Sequence, residues 1–546
     1  MLRSESALRS LLLMCPFYHA VSASIGNRDC LRLISAFNSL DSTIRYPVTL
    51  PLVHRLPNDF NIAVAFLRLV DRGGCLWLDS AAPGPMTTRP VVADPLSIDA
   101  LSAGAALAEP IGRYSFLTAD PVAKLQARVG GDDPWPVLRR WAALLPREKS
   151  PDLPPFQGGI AGLWGYEAAA WLEAVGVALI DDLPTPAVSV GVYDWVICHD
   201  SVSGASCLIS QGFRCDDFVR DCQWAQSRLD QVLGWLDEPP TGRPEALAGE
   251  SHTQVDCTPS VACSFETPRS GVTSNFSSSG FRAAIDEIIR RIHAGDSFQV
   301  NLAQRLTATA SVDPAALYLR LRQANPAPLA GFYDGGDFQV LSSSPEGFLH
   351  VRDGVVETRP IKGTVARTGD AVIDRAATEV LKASEKDHAE NVMIVDLMRN
   401  DLSRVCEDDS VVVTQLCAVE HYAFVQHLVS VVRGRLRPGI SAIDLLAACF
   451  PGGSVTGAPK IEAMRTIAQL EPTRRGPYCG SLGYVSVGGD SEFNILIRTL
   501  TATGDRWQIP VGGGITAQSC SVDEERETWV KAEGMLRAIP GGIMPT

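Results

Sequence analysis

The stretch DFQVLSSSPEGFLHVRDGVVETRPIKG, residues 337–363, constrains the fold more than any other part of the chain. Apolar and polar residues alternate on both sides of Asp353-Gly354, a pair that favours the positive φ angles of a two-residue hairpin turn. The segment therefore reads as two antiparallel strands. Counting outward from the turn sets Glu346 across from Ile361, within one residue of register of Lys362. Pro345 and Pro360 break the ladder near its ends, so spacing leaves open which face each side chain takes. A solvated strand-end ion pair and a reactive lysine beside an acid both fit this pattern.

The surrounding chain continues the same mixture. In FRAAIDEIIRRIHAGD, Phe281, Ile285, Ile288, Ile289 and Ile292 recur at helical spacing and Gly295 supplies a stop. DSFQVNLAQRLTATA alternates as a strand, helices are expected at 374–400, 441–449 and 459–469, and strands at 423–433, 481–487 and 493–502. Before residue 238, GGCLWLDS and SVGVYDWVICHD read as strands and DDFVRDCQWAQSRLDQVLGWLDE as a helix. No internal repeat and no strict strand–helix–strand alternation is present, which points to an antiparallel-rich α+β core rather than a doubly wound sheet. The chain divides into an extension at 1–58, an N-terminal domain at 59–237, a Pro-, Gly-, Ser- and Thr-rich linker or insertion at 238–275, and a second domain at 276–540.

With 546 residues and 46% hydrophobic content, the chain can bury sizeable cores. Its 62 acidic and 48 basic residues leave a net charge of −14, the wrong sign for holding nucleic acid by its phosphates. Fourteen cysteines lack CxxC or zinc spacing, which suits reduced thiols in a cytoplasmic enzyme. The first 26 residues carry two arginines and a short apolar run, the outline of a weak targeting signal, but Pro16 and His19 interrupt it. No later run approaches the ~20 apolar residues of a membrane span, so no membrane partner is expected.

Several residues suggest chemistry. Asp387 and Glu390 share a helix face with Ile394 and Leu397, and Glu524 and Glu527 repeat the spacing near the C-terminus. Capping boxes from Ser384 to Asp387 and from Ser521 to Glu524 explain one acid of each pair and leave Glu390 and Glu527 over. Two such pairs would suit Mg²⁺, a hard ion that prefers carboxylate oxygen. FPGGSVTGAPKIEAM lacks the GK[ST] of a phosphate loop, leaving Thr456, Gly457 and Ala458 as a small-residue approach to a helix N-terminus. His427 shares a strand face with valines, and Arg498 shares one with Leu496 and Leu500, where a buried cation needs an anion. Gly512, Gly513 and Gly514 offer backbone amides free of side chains.

In order and spacing, DSFQVNLAQR, SSSPEGF, RPIKGT, KDHAENVMIVDLMRNDLSRV, FVQHLVS, FPGGSVTGAPK, CGSLGY, IRT and GGGI resemble the chorismate-utilising enzymes over about 281–540. Upstream, GRYSFLTADP and PFQGGIAGLWGYE look like the N-terminal domain of the anthranilate synthase and aminodeoxychorismate synthase large subunits. The resemblance implies two packed antiparallel β-sheets flanked by helices, and chorismate held through Mg²⁺. It implies that Glu390 and Glu527 bind the metal with Asp387 and Glu524 close by. Arg498, Tyr484, Thr456 and the Gly512 to Gly514 amides would hold the substrate carboxylates, with His427 over the ring. Related isochorismate and salicylate synthases carry a lysine base where this chain has Gln299, so amination is implied rather than water addition. PIKGT, in place of the PIAGT of anthranilate synthases, is characteristic of the aminodeoxychorismate branch. In that branch Glu346 would act as general acid and Lys362 as nucleophile. Without a glutaminase cysteine elbow or room for a lyase, a separate glutamine amidotransferase subunit and a separate lyase toward 4-aminobenzoate and folate are implied. The GRYSF segment resembles a tryptophan-binding region. Anthranilate synthesis and a non-catalytic regulatory homologue are the rival readings.

Overall fold

The computed structural model describes residues 50–81, 86–87, 109–215, 217–239, 264–422 and 425–540, and these described residues form one compact unit. Residues 1–49 of the expected extension, and 240–263 within the expected linker, lie outside the described residues.

Two large antiparallel sheets organise the described residues, one of thirteen strands and one of ten. Between them lies an apolar layer in which Leu76, Phe116 and Val340 of the first sheet meet Leu163, Tyr193 and Leu482 of the second. Helices cover the opposite faces: Ile62–Leu69 and Cys222–Asp237 pack on the first sheet, and Ala442–Cys449 lies on the second. This is the α+β arrangement of two packed, helix-flanked sheets expected from the sequence. The division at 238–275 is a division of the chain and not of the core. Leu76–Asp79 pairs with Ala330–Asp334 in one sheet, and Gly159–Trp164 pairs with Ser481–Ser486 in the other, so both sheets take strands from either side of it.

The elements that build the site follow the local rules. Helix α1, Ser278–Ala294, buries Phe281, Ala284, Ile285 and Ile288 and ends on left-handed Gly295. Strands β1, Gln299–Thr309, and β2, Phe338–Ser342, belong to the same sheet. Strands β3, Gly347–Arg352, and β4, Val355–Thr358, fold about Asp353 (φ 50°) and Gly354 (φ 76°) with His350 opposite Glu357, the register counted from the turn. The next strand, β5 (Ile361–Ala366), leaves that hairpin and pairs with β6, Val425–Arg435.

The long helix expected at 374–400 is two, α2 (Ala371–Ala383) and α3 (Glu385–Ser403). Ser384 separates them because its hydroxyl accepts the Asp387 amide at 3.3 Å, an N-cap that outweighs helix continuation. The strand expected at 493–502 is also two: β7, Ser491–Asn494, in the second sheet, and β8, Thr499–Thr503, in the first. Helix α4, Lys460–Leu470, follows the small-residue loop, and strand β9, Arg506–Ile515, leads into α5, Ser521–Leu536.

Candidate active site

A cavity of about 550 Å³ opens where β5, the start of α3, the β7–β8 crossover, β9 and α5 meet. Its walls carry Glu346, Lys362, Asp387, Glu390, His427, Arg498, Gly512, Gly513, Gly514, Glu524 and Glu527. Residues spread over some 180 positions are thus gathered at one place, of a size that suits a small organic molecule.

Lys362 reaches the cavity through an irregularity in β5. The ladder with β6 shifts between Lys362 and Thr364, and Gly363 takes φ 68° at the shift. Such a bulge re-aims the preceding side chain, here toward α3. The Lys362 Nζ lies 3.3 Å from Glu390 Oε2, and both side chains are only 13% exposed. Glu346 sits immediately before β3, buried, beside the Ile361 amide that hairpin counting placed opposite it. Burial pushes its carboxyl up to about 7 against the opposing effects of the Ser454 hydroxyl, Lys362 and the Ile361 amide. A carboxyl in that range keeps a large protonated fraction near neutrality.

Arg498 owes its position to the crossover between sheets. Placed on a strand face by its spacing with Leu496 and Leu500, it instead adopts φ 50° where the chain leaves β7 for β8. Among the described residues its guanidinium has no acidic partner within ion-pair distance, and burial holds its pKa below the ordinary range. An unpaired, half-buried cation facing a cavity is a receptor for an anion. His427 is buried nearby, its Nδ1 2.9 Å from the Thr364 hydroxyl. Burial, reinforced by Arg498 and resisted by the Gly363 backbone, lowers it to about 4, so the imidazole is neutral at pH 7.

The four acids stand on facing helix ends, interleaved with lysines. Lys386 lies 3.9 Å from Glu390 and 3.8 Å from Glu524, bridging α3 and α5. Lys531 pairs with Glu527 at 2.7 Å and donates to the Gly512 carbonyl at 2.9 Å. Burial and Glu527 raise the Glu524 carboxyl, whereas Lys531, Lys386 and Lys362 together overcome burial at Glu527 and lower it. Among the described residues no three acidic, histidine or cysteine side chains converge as a finished ligand set. The donor chemistry nonetheless suits a hard divalent cation: carboxylate oxygens from two helices, with space left between them. That space exists because residue 513 is glycine, where a Cβ would lie 3.3 Å from Glu524 Oε2 and 3.9 Å from Glu527 Oε1.

Four expected site residues fall elsewhere. Tyr484 is buried between the sheets, stacked on Phe156 at 4.6 Å and accepting from Arg352 at 3.1 Å, and it borders a separate small cavity with Tyr114 and Phe116. Tyr478 occupies the cavity wall instead. Thr456 is buried with its hydroxyl donated to the Gly452 carbonyl at 3.0 Å, and Ser454 and Val455 face the cavity. Gly457 pairs with Val300 of β1, so close (a Cβ would lie 2.1 Å from the Gln299 carbonyl) that only glycine fits. The backbone at Gly457 and Ala458 is therefore committed to β1 and not presented to a ligand. Gln299 is wholly buried behind Gly514, its amide unpartnered. The N-cap of α5 also differs: Cys520 precedes the helix, and Ser519, not Ser521, donates to Glu524 at 2.6 Å.

Sequence reasoning passed over Lys386, Lys531, Asn301, Ser454 and Tyr478, all of which line the cavity. Two had a legible signal. Lys386 and Lys531 each stand four residues from a proposed metal ligand, the spacing of a helical ion pair.

Comparison with known proteins places this geometry among relatives. The family described as chorismate binding enzyme matches residues 104–537. Aminodeoxychorismate synthase component 1 of Bacillus subtilis is 37% identical over 441 residues, 78% of this chain and 89% of that protein. Anthranilate synthase component 1 of Thermus thermophilus is 37% identical, covering 72% of this chain and 80% of its own. The crystal structure of anthranilate synthase component I from Streptococcus pneumoniae superposes with a TM-score of 0.66 at 32% identity, covering 78% of this chain and 92% of that one.

Proposed function

Because the chain belongs to the chorismate binding enzymes, we propose that it is an aminodeoxychorismate synthase component that converts chorismate and ammonia to 4-amino-4-deoxychorismate. The observation that carries this reading is Lys362. Its amine enters the cavity beside buried Glu346 and across from a guanidinium that has no anion of its own. Relatives of both aminating kinds match over most of the chain, and the lysine of PIKGT favours the aminodeoxychorismate branch.

In this mechanism Arg498 holds a substrate carboxylate, and the neutral His427 ring lies against the cyclohexadiene without adding charge. Glu346 gives its proton to the departing 4-hydroxyl, which leaves as water. The Lys362 amine forms a bond to C2 as the C4–O bond breaks and both ring double bonds shift. Ammonia then forms the C4–N bond, both double bonds return, the C2–N bond to Lys362 breaks, and the surplus proton on the new C4 nitrogen passes back to Glu346. One water leaves, one ammonia is gained, and Lys362 is regenerated. Glu390 and Glu527, with Asp387 and Glu524 beside them, would hold Mg²⁺, which when bound supplies positive charge to a substrate carboxylate. Gly512, Gly513 and Gly514 leave backbone rather than side chains facing the substrate.

Ammonia would come from a glutamine amidotransferase subunit, a reading supported by the relatives' designation as component 1. A separate lyase would complete 4-aminobenzoate for folate. A cytoplasmic setting fits, and among the described residues no helix is long and apolar enough to cross a membrane. Tryptophan binding near Tyr114 and Phe116 belongs to the same reading.

Product identification from chorismate, ammonium and Mg²⁺ tests it. Formation of 4-amino-4-deoxychorismate is expected. Fluorescent anthranilate would assign the rival amination, and unreacted chorismate would make the chain a regulatory homologue.

A further inference from the structure

A wholly buried charge network lies directly behind the cavity, built around a residue that the mechanism does not use. Arg475 follows α4, and four of its N–H directions are committed. Its Nε donates to Glu471 at 2.8 Å and one terminal nitrogen donates to the other Glu471 oxygen at 2.6 Å. The remaining donations go to backbone: the Val455 carbonyl at 2.9 Å and the Asn301 carbonyl at 2.9 Å. Val455 and Asn301 both line the cavity, and they come from separate elements, the small-residue loop and β1. The guanidinium also lies over the Tyr166 ring at 4.6 Å.

The backbone of Arg475 is held as firmly as its side chain. Glu167, from more than 300 residues earlier, accepts the Arg475 amide at 2.8 Å and the Gly476 amide at 2.9 Å, one on each oxygen. Tyr478, on the cavity wall, follows two residues later. Glu471 uses its second lone pair on the Ala303 amide of β1 at 2.9 Å. Arg475, Glu471 and Glu167 are each less than a tenth exposed. Replacing such a pair by apolar residues often leaves stability unchanged, so stability alone does not account for placing it here. What a planar fork does and an apolar side chain cannot is fix two carbonyls and a carboxylate at set distances.

We propose that Arg475 is a positioning residue for the amination site: with Glu471 and Glu167 it sets the spacing of Val455, Asn301 and Tyr478 around the substrate. It touches no reacting atom. The proposal rests on the cavity being the chorismate site.

The test is Arg475→Lys, which keeps the charge but loses the fork, with Glu167→Gln as a second variant that keeps the arginine. Chorismate binding is measured by calorimetry and ammonia-dependent turnover by product formation. Displacing catalytic geometry by about 1 Å costs on the order of a hundredfold in rate. The expected result for Arg475→Lys is therefore one chorismate site per chain and kcat lowered about a hundredfold per competent site, with Glu167→Gln falling about tenfold. A structural role alone would lower the number of sites and leave turnover per site unchanged, which overturns the proposal. If Arg475→Lys does not fold, Glu167→Gln decides: wild-type turnover per site overturns the proposal and a tenfold fall supports it. If the wild-type chain neither binds nor consumes chorismate, the substrate reading fails and this proposal falls with it.

Discussion

Replacing Glu346 by glutamine separates the chemistry of the site from its stability. The carboxyl is pushed by burial from its ordinary 4.5 up to about 7. Near pH 7 about half the molecules then carry the proton, and near pH 8 about one in ten. If the protonated carboxyl is the general acid, kcat is full below pH 7 and falls about tenfold per unit above it. Stability has a matching sign. A carboxyl raised on folding binds its proton more tightly in the native state, so its contribution is fully present below pH 4.5. It is lost as pH rises through 7. The loss amounts to about 3 kcal/mol, because each unit of displacement corresponds to about 1.4 kcal/mol. Glu346→Gln removes both effects at once. Turnover of chorismate with ammonium, followed between pH 6 and 9, falls about 10²- to 10⁴-fold in the acid range and loses its alkaline limb. Urea denaturation of the variant declines less between pH 5 and 8.5 than that of the wild type, the remaining decline coming from Glu167, which burial also raises to about 7. A variant that kept the alkaline limb would assign the limb to another group. A wild type whose stability held constant across that interval would refute burial as the cause.

The other predictions address the neighbouring groups. Lys362→Ala abolishes ammonia-dependent turnover while leaving chorismate binding measurable by calorimetry, and an unchanged rate would remove the covalent role. Arg498→Gln raises KM for chorismate about 10- to 100-fold by deleting a charge-assisted contact. The same change raises the thermal midpoint, because a half-buried cation without an acidic partner among the described residues is lost. Lys386→Met removes an ammonium that competes for Glu390 and Glu524. Calorimetric Mg²⁺ affinity then rises roughly twofold to fivefold, as suits a partly exposed pair.

The legible parts of the site were those set by local geometry. Asp353-Gly354 fixes a register by counting, and that count delivered Glu346 to the Ile361 amide. Helical spacing delivered Asp387 and Glu390 on one element and Glu524 and Glu527 on another, and the cavity gathers all four. Lys362 was legible as a neighbour of Glu346 but not in its direction, which depends on β5 abandoning the hairpin for β6 and bulging at Gly363. The rest depends on where distant segments of the chain meet. Local sequence presents Thr456 and Gly457 as free loop, yet both are consumed by hydrogen bonding to a strand more than 150 residues away. Alternation places Arg498 on one continuous strand, and Tyr484 enters only through the family resemblance. The chain changes sheets at Arg498, while Tyr484 stays in the layer between them. Periodicity reports which face a residue takes, not which sheet the face belongs to.

The interleaving of strands has a consequence for synthesis and for dissection. A fragment ending near residue 239 would present Leu76–Asp79 and Gly159–Trp164 with the hydrogen-bonding edges that Ala330–Asp334 and Ser481–Ser486 fill in the intact chain. Two open edges of apolar sheet invite association with other chains. The emerging polypeptide must hold its first half in waiting until the ribosome has delivered residues past 486. Folding therefore cannot be completed piecemeal from the N-terminus, and neither half is a unit that selection could exchange alone.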